Sequence, residues 1–96
     1  MAAYVIGNIS VKDAEKWAEY KRGVPATIVP FGGELVLRGH RKAVLGGEHR
    51  HTDTVVIRFP AIEAVDEWFH SDAYQQLIPL RLQAADVDLI SYEAAL

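Results

Sequence analysis

The sequence predicts one α+β domain over residues 1–96, in which a four-stranded antiparallel sheet carries both helices on one face. Strand-like and helix-like segments follow one another in the order β-α-β-β-α-β. Right-handed crossovers turn that order into a sheet whose first and third strands are central. Those two segments are the richest in β-branched residues, which favour central strands.

The first strand is predicted from Ala3 to Val11, where apolar residues alternate. A helix follows, because Asp13 is a good N-cap and apolar residues then recur at helical spacing. Pro25 interrupts that run, so we expect a kink or a second helical start there. Gly32 and Gly33 end the helix. The apolar stripe consists of Trp17, Val24, Ile28 and Phe31, with Tyr20 beside it.

The second and third strands are predicted over residues 34–45 and 54–60, as a long hairpin with a mobile, polar tip. The third strand, TVVIRFP, is the clearest in the chain, and Pro60 ends it. His49 and His51 form an HxH pair in the tip. Two histidines alone make a poor metal site, so the pattern favours a solvated loop over a metal site, and no metal is predicted.

The second half of the chain predicts a helix over residues 62–70, a further helical piece over 73–85 kinked at Pro79, and a last strand over 87–93. The alternation of the last strand does not decide which side chains face the helices. Arg81 falls on the apolar stripe of the second helical piece. A charge there needs a partner, either an aspartate or glutamate near a strand end or an anion in a pocket.

Strand alternation divides the sheet into a face that packs on the helices and an open face. Left in water, the apolar residues of the open face would form an exposed patch. A second copy packed sheet against sheet would cover it, so we expect a homodimer. The predicted helix-facing set is Val5, Ile9, Val11, Leu35, Leu37, Val55, Ile57 and Phe59. The predicted open-face set is Tyr4, Ile6, Asn8, Val36, Arg38, His40, Val56 and Arg58.

Several segments follow one another in a distinctive order, namely YVIGNISVKD, VPATIVPFGGELVLRG and VVIRFPAIEAVDEWFHSDAYQQLIPLR, and then an acidic-apolar last strand. Together they resemble family 1330 of the domains of unknown function (DUF1330). The resemblance covers nearly the whole chain and implies a ferredoxin-like fold of the dimeric α+β barrel superfamily. Ala61 departs from the usual helix-capping Ser of the family, and Arg58 stands where an acidic residue is common.

Composition excludes several classes of partner. The net charge is about −3 and the basic residues are scattered, which argues against a nucleic-acid or membrane-surface partner. There is no cysteine, so no disulfide or thiolate site is expected, and no apolar run is long enough to span a bilayer. The N-terminal segment lacks the basic start of a signal peptide. We therefore expect a soluble, cytoplasmic protein.

The polar residues predicted on or near the open face suggest a cationic pocket for a small anionic or phenolic metabolite. In that pocket His40 would act as a general base and Arg38 would stabilise developing negative charge. No cofactor is predicted. The remaining residues predicted to bind the substrate are Asn8, Arg58, Trp68, Tyr74 and Arg81.

Whether any reaction occurs stays open at this point. The chain has no obvious nucleophile–base pair, metal-ligand spacing or phosphate loop, so a non-catalytic binder or a purely structural dimer is the alternative. The wider superfamily includes cofactor-independent monooxygenases, lactone isomerases and haem-degrading enzymes, so the fold does not choose among functions. A haem role is disfavoured, because Asn8, Trp68 and His70 lack the spacing of the haem-degrading relatives.

Overall fold

The computed structural model describes residues 1–95, and its elements follow the predicted order. The sheet is antiparallel with the strand order β2-β3-β1-β4, so the first and third strands are central, as predicted. No helix within residues 1–95 is long and apolar enough to cross a membrane. The elements are β1 (Ala3–Val11), α1 (Ala14–Ile28), a 3₁₀ turn (Val29–Phe31), β2 (Glu34–His40), β3 (Asp53–Phe59), α2 (Ile62–Phe69), α3 (Asp72–Gln75), α4 (Ile78–Ala84) and β4 (Ala85–Glu93).

Helix α1 begins where the sequence predicts it, because the side chain of Asp13 accepts a hydrogen bond from the backbone N–H of Lys16. The helix runs through Pro25 to Ile28 without a second start and continues into the 3₁₀ turn. Gly32, with φ of 75°, ends that turn in the left-handed conformation that glycine adopts most easily. The buried side of α1 packs on the alternate residues of β1 and β3, and Trp17, Tyr20, Val24, Val5, Ile9, Ile57 and Phe59 all belong to this core.

A β-bulge in β2 changes which side chains face the helices. Leu35 pairs with Ile57, but Leu37, rather than Val36, pairs with Val56, so one extra residue lies between the two pairs. Every later side chain of β2 is therefore on the face opposite to the predicted one. Leu37 lies on the open face, which corrects its prediction as a helix-facing residue. Arg38 and His40 pair with Val55 and Asp53 on the helix side, which corrects their prediction as open-face residues.

The predicted hairpin is shorter than expected, and its loop is not simply solvated. β2 ends at His40 because its partner β3 begins at Asp53, which leaves no strand opposite the residues up to Leu45. The β2–β3 loop, residues 41–52, folds back onto the sheet, with the N–H of Thr52 donating to the carbonyl of Ile9 at 3.1 Å. His51 is only 2% exposed. The prediction of a solvated loop is therefore wrong for His51.

Pro79 starts a helix instead of kinking one. The predicted helical piece over residues 73–85 is divided into α3 and α4, and Pro79 lies in the first turn of α4, where a missing N–H costs nothing. β4 begins at Ala85, two residues before the predicted start. Its register places Val87 and Leu89 on the helix side, and Ile90 and Tyr92 on the open face beside Ile6 and Tyr4.

Candidate functional site

The residues predicted to form one pocket come from three parts of the fold, and Asn8 lines one cavity with His40 and another with Arg81. Arg38 and His40 are at the outer edge of β2, on the helix side. Asn8 and Arg58 are on the open face, on neighbouring strands but towards opposite ends of the sheet. Trp68, Tyr74 and Arg81 lie among the helices. Within residues 1–95, these residues are therefore divided among several cavities rather than lining one together.

At the edge of β2, the imidazole of His40 pairs with the carboxylate of Asp53, with 2.6 Å between Nδ1 and Oδ1. The side chain of His40 is 83% exposed. Arg38, His40 and Asp53 line a shallow cavity of about 260 Å³ together with Trp17 and Lys21 of α1. An imidazole, a carboxylate and a guanidinium together are suitable for transferring a proton beside a bound anion. This cavity is open to water, however.

The open face of the sheet is polar at the end that carries Asn8, and at the other end it is apolar except for the pair formed by Arg58 and Glu34. Arg58 donates to Glu34 at 3.3 Å, and Asn8 lies at the polar end, beside the β2–β3 loop. No hydrogen bond of the Asn8 side chain is found within residues 1–95. The large apolar side chains of this face are 41–50% exposed, namely Val36, Leu37, Ile90 and Tyr92.

The aromatic residues among the helices form a buried hydrogen-bonded cluster. The hydroxyls of Tyr20 and Tyr74 are 2.8 Å apart, and Nη1 of Arg81 donates to the Tyr74 hydroxyl at 2.8 Å. The indole N–H of Trp68 donates to Thr27 at 3.0 Å, and its ring packs on that of Tyr74 with 4.3 Å between centroids. Burial, and next the neighbouring Tyr74, raises the pKa of the Tyr20 hydroxyl, so this group stays protonated at neutral pH.

Within the part of the chain that the structure describes, Arg81 has no acidic partner. No carboxylate of residues 1–95 lies within 4.0 Å of its guanidinium, so the predicted alternative of a structural ion pair is wrong. The side chain is half-buried and lines an open cavity of about 650 Å³ that wraps around the edge strand β4. Two acidic residues also line this cavity: Glu48 is exposed, and Asp88 is already paired with Arg50.

An apolar cleft adjoins the Arg81 cavity. It lies between α2 and β4 and has a volume of about 270 Å³. Phe69, Leu89 and Ile90 line both spaces, so an apolar compartment and a cationic one share a wall. This arrangement suits a ligand with an apolar body and one anionic group. The remaining apolar lining of the cleft is Val5, Ile62, Val65 and Trp68.

The sequence reasoning missed a hydrogen-bonded chain at the polar end of the open face. Nδ1 of His51 is 2.9 Å from the hydroxyl oxygen of Ser10, and Nε2 is 2.7 Å from Oδ2 of Asp88. Arg50 bonds to Asp86 and, at 3.1 Å, to Asp88. The hydrogen bond from His51, and next the charge of Arg50, holds the pKa of Asp88 below its usual value. Only the pairing register of β4 could have revealed this chain.

Metal binding gains no support from the histidines of the loop. The rings of His49 and His51 have centroids 5.8 Å apart, but His51 already uses both nitrogens in hydrogen bonds. Within residues 1–95, no group of three histidine, aspartate or glutamate side chains is placed to hold a metal ion. His49 and His51 instead line the Arg81 cavity.

The sequence matches one family model almost end to end. The model is described as Domain of unknown function (DUF1330), and it matches residues 2–95. No curated protein matches the chain.

Solved structures share the fold at low sequence identity. A protein of unknown function from Rhodopseudomonas palustris is 19% identical, with a TM-score of 0.82 over 98% of this chain and 82% of that one. A dimeric ferredoxin-like protein of unknown function from Jannaschia sp. CCS1 is 10% identical, with a TM-score of 0.78 over 98% and 100% of the two chains. SnoaB, a cofactor-independent oxygenase from Streptomyces nogalater, is 9% identical, with a TM-score of 0.67 over 99% and 94%. These similarities establish a ferredoxin-like fold.

Proposed function

The chain belongs to the DUF1330 family, and we propose that it is a homodimeric protein that binds a small aromatic molecule carrying a carboxylate or phenolate oxygen. The observation that carries this proposal is the half-buried guanidinium of Arg81, which lacks an acidic partner within residues 1–95 and lines a cavity beside an apolar cleft. An unpaired cation in a partly dry site is an unfavourable arrangement unless an anion binds there. The ligand would supply that anion.

Arg81 has hydrogen-bonding capacity to spare. A guanidinium has five N–H donors, and the described contact with Tyr74 uses one of them at 2.8 Å. That contact also fixes the side chain, because Tyr74 is completely buried. A planar fork with free donors and a fixed position suits two-point binding of a carboxylate, or one short bond to a phenolate.

The apolar cleft sets the size and character of the rest of the ligand. A cavity of about 150 Å³ is enough to hold benzene, and the cleft between α2 and β4 has about 270 Å³. Its walls include the aromatic side chains of Trp68 and Phe69, which pack well on a flat ring. We therefore infer a ligand with one or two rings and an anionic group at one end.

The proposed dimer uses the apolar part of the open face of the sheet. Val36, Leu37, Ile90 and Tyr92 give this face a largely apolar surface that a second copy would remove from water. The neighbour from Jannaschia sp. CCS1 is described as dimeric, which supports a dimer for this chain as well. Sedimentation equilibrium should give twice the mass of one chain, and Ile90→Asp should reduce it to a monomer. A monomeric wild-type protein at micromolar concentration would exclude the dimer.

A matched pair of ligands tests the binding function. We expect wild-type protein to bind 2-naphthoate more tightly than 2-naphthamide in isothermal titration calorimetry, because only the acid is charged. Arg81→Gln should weaken binding of the acid by about 10- to 100-fold, since a hydrogen bond to a charged group contributes roughly 1.5 to 3 kcal/mol. Binding of the amide should be almost unaffected.

The control for this experiment is Arg22→Gln, which makes the same change on the exposed side of α1. It should leave both affinities at their wild-type values. If Arg81→Gln and Arg22→Gln give the same small change, binding depends on net charge, and the proposed role of Arg81 is rejected. Equal affinity of the wild-type protein for 2-naphthoate and 2-naphthamide would also reject the proposed role of Arg81.

Conversion of the ligand is the second candidate function, and the edge of β2 favours it. His40 and Asp53 are 2.6 Å apart, and Arg38 lines the same cavity of about 260 Å³. His40 would move a proton while Arg38 stabilises the resulting anion, without a cofactor. His40→Ala and Arg38→Ala should each lower turnover of a substrate found for the wild type. Unchanged turnover in both variants would leave only the binding function.

A further inference from the structure

We propose that Ser10, His51 and Asp88 form a second, nucleophilic site that cleaves small acyl esters, with Ser10 as the nucleophile. The three side chains form a continuous hydrogen-bonded chain, with 2.9 Å between Ser10 and His51 and 2.7 Å between His51 and Asp88. The proposal does not use Arg81, although Asn8, His51 and Asp88 also line the Arg81 cavity. Its readout is a covalent adduct on Ser10, which is separate from the ligand affinity that tests Arg81.

The fold brings these residues together from three distant parts of the chain. Ser10 is on β1, opposite Asp86 of β4, and alternation places Asp88 on the same open face of the sheet. His51 comes from the β2–β3 loop and lies over both. The loop is held in place by two backbone contacts from Arg41, whose guanidinium donates to the carbonyls of His49 and His51. The imidazole is therefore fixed, as a general base must be.

The hydrogen-bond partners of His51 fix its tautomer. Asp88 accepts hydrogen bonds from Arg50 and His51, and its pKa lies below the usual value, so it is an ionised acceptor at neutral pH. Nε2 of His51 must then carry the hydrogen. In neutral imidazole the other nitrogen, Nδ1, is an acceptor, and the hydroxyl of Ser10 is the only group of the pair that can donate. This is the polarity that a serine–histidine nucleophile requires.

A donor for the developing oxyanion lies close by. Asn8 is two residues before Ser10 on the same face of β1, and no hydrogen bond occupies its side-chain amide within residues 1–95. Asn8 and His51 both line a cavity of about 300 Å³ at this end of the sheet. Ser10 lies beside that cavity, not in its lining, and its hydroxyl oxygen is 2.9 Å from Nδ1 of His51. An acyl group of a few carbon atoms fits such a space, so we infer short-chain esters as the substrates.

The reaction needs no participant other than water. The Oγ atom of Ser10 would form a bond to the acyl carbon while its proton moves to Nδ1 of His51, and the amide of Asn8 would donate to the oxyanion. Collapse of that intermediate breaks the bond to the alcohol oxygen, which takes the proton from Nδ1. Water then attacks the acyl-serine with His51 as its base, and the acid and free Ser10 are released.

A fluorophosphonate probe tests the site directly, with mass spectrometry of the intact protein and of its peptides. We expect one adduct per chain, located on Ser10. Ser71 and Ser91 serve as internal controls, because neither has a histidine within hydrogen-bond distance. Ser10→Ala should abolish labelling, and His51→Gln should slow it by at least 100-fold, the usual contribution of a general base. Hydrolysis of p-nitrophenyl acetate should fall in parallel.

Several results would overturn the proposal. They are no adduct on wild-type protein, an adduct on Ser71 or Ser91 instead of Ser10, or an equal labelling rate in His51→Gln. Thermal unfolding shows whether each variant is folded. If His51→Gln does not fold, Asp88→Asn replaces it, because the side chain of Asp88 is 52% exposed. The amide of that variant leaves the imidazole of His51 without an ionised acceptor. Labelling of Asp88→Asn at the wild-type rate would also refute the proposal.

Discussion

Replacing Tyr74 by phenylalanine tests how far the buried hydroxyl pair stabilises the fold. The change keeps the ring that packs on Trp68 and removes only the oxygen that Arg81 and Tyr20 share. Tyr20 is 8% exposed, so loss of the hydrogen bond between its hydroxyl and Tyr74 should cost about 1 to 3 kcal/mol. Loss of the contact to Arg81 adds about 1 kcal/mol, because this half-buried guanidinium regains water. The expected total is about 2 to 4 kcal/mol.

The reverse substitution, Tyr20→Phe, should cost less. Tyr74 would still accept from Arg81, so no oxygen is left without a partner, and the expected loss is about 1 kcal/mol. In the double variant the unpaired hydroxyl of Tyr20 no longer exists. The double variant should therefore be at least about 1 kcal/mol more stable than the sum of the two single changes predicts.

Thermal or urea unfolding of the four proteins at one concentration measures this coupling. For a domain of this size, 1 kcal/mol corresponds to roughly 4 to 8 °C in Tm. Tyr74→Phe should therefore lower Tm by at least about 8 °C, and Tyr20→Phe by about half as much. Additive effects within about 0.5 kcal/mol would show that the two hydroxyls do not act as a pair, and the reasoning would be refuted.

Three further predictions concern other parts of the chain. Burial raises the pKa of Tyr20, so the stability that this group contributes is complete below about pH 10 and is lost as the pH rises above it. Tyr20→Phe should therefore resist alkaline unfolding better than the wild type, as followed by circular dichroism. Gly33→Ala should lower stability by roughly 1 to 3 kcal/mol in urea, since a Cβ there would lie 2.9 Å from Phe59, whereas Gly46→Ala, in open space, should have no effect. Asp88→Asn should speed proteolytic cleavage in the β2–β3 loop, and an unchanged rate would mean that the backbone contacts alone hold the loop.

Periodicity predicts most of the fold because the core side of each element is almost wholly apolar. Val5 and Ile9 on β1 and Trp17 and Val24 on α1 are buried as their spacing indicates, and the strand order follows from the order of elements. The capping residue Asp13 also predicts the start of α1 correctly. These features are local, or they depend on a period that the sequence displays directly.

The candidate sites were harder to predict, because they depend on register. A bulge has no clear sequence signal in the segment ELVLRGH, so Arg38 and His40 were expected on the wrong face. The contact between His51 and Asp88 joins residues 37 positions apart, and it depends on how β4 pairs with β1. The helical spacing places Arg81 on the apolar stripe of the second helical piece. Its lack of a carboxylate partner within residues 1–95 is visible only in three dimensions.

The extra residue in β2 also separates charged from apolar side chains at this edge of the sheet. Without the bulge, a guanidinium and an imidazole would project from the side where Val56 and Ile90 lie, and two copies meeting there would have to dehydrate both. With it, Leu37 takes that place, and the ionisable groups turn towards α1 and the solvent. One inserted amino acid thus makes this edge of the open face more apolar and keeps Arg38 and His40 in contact with water.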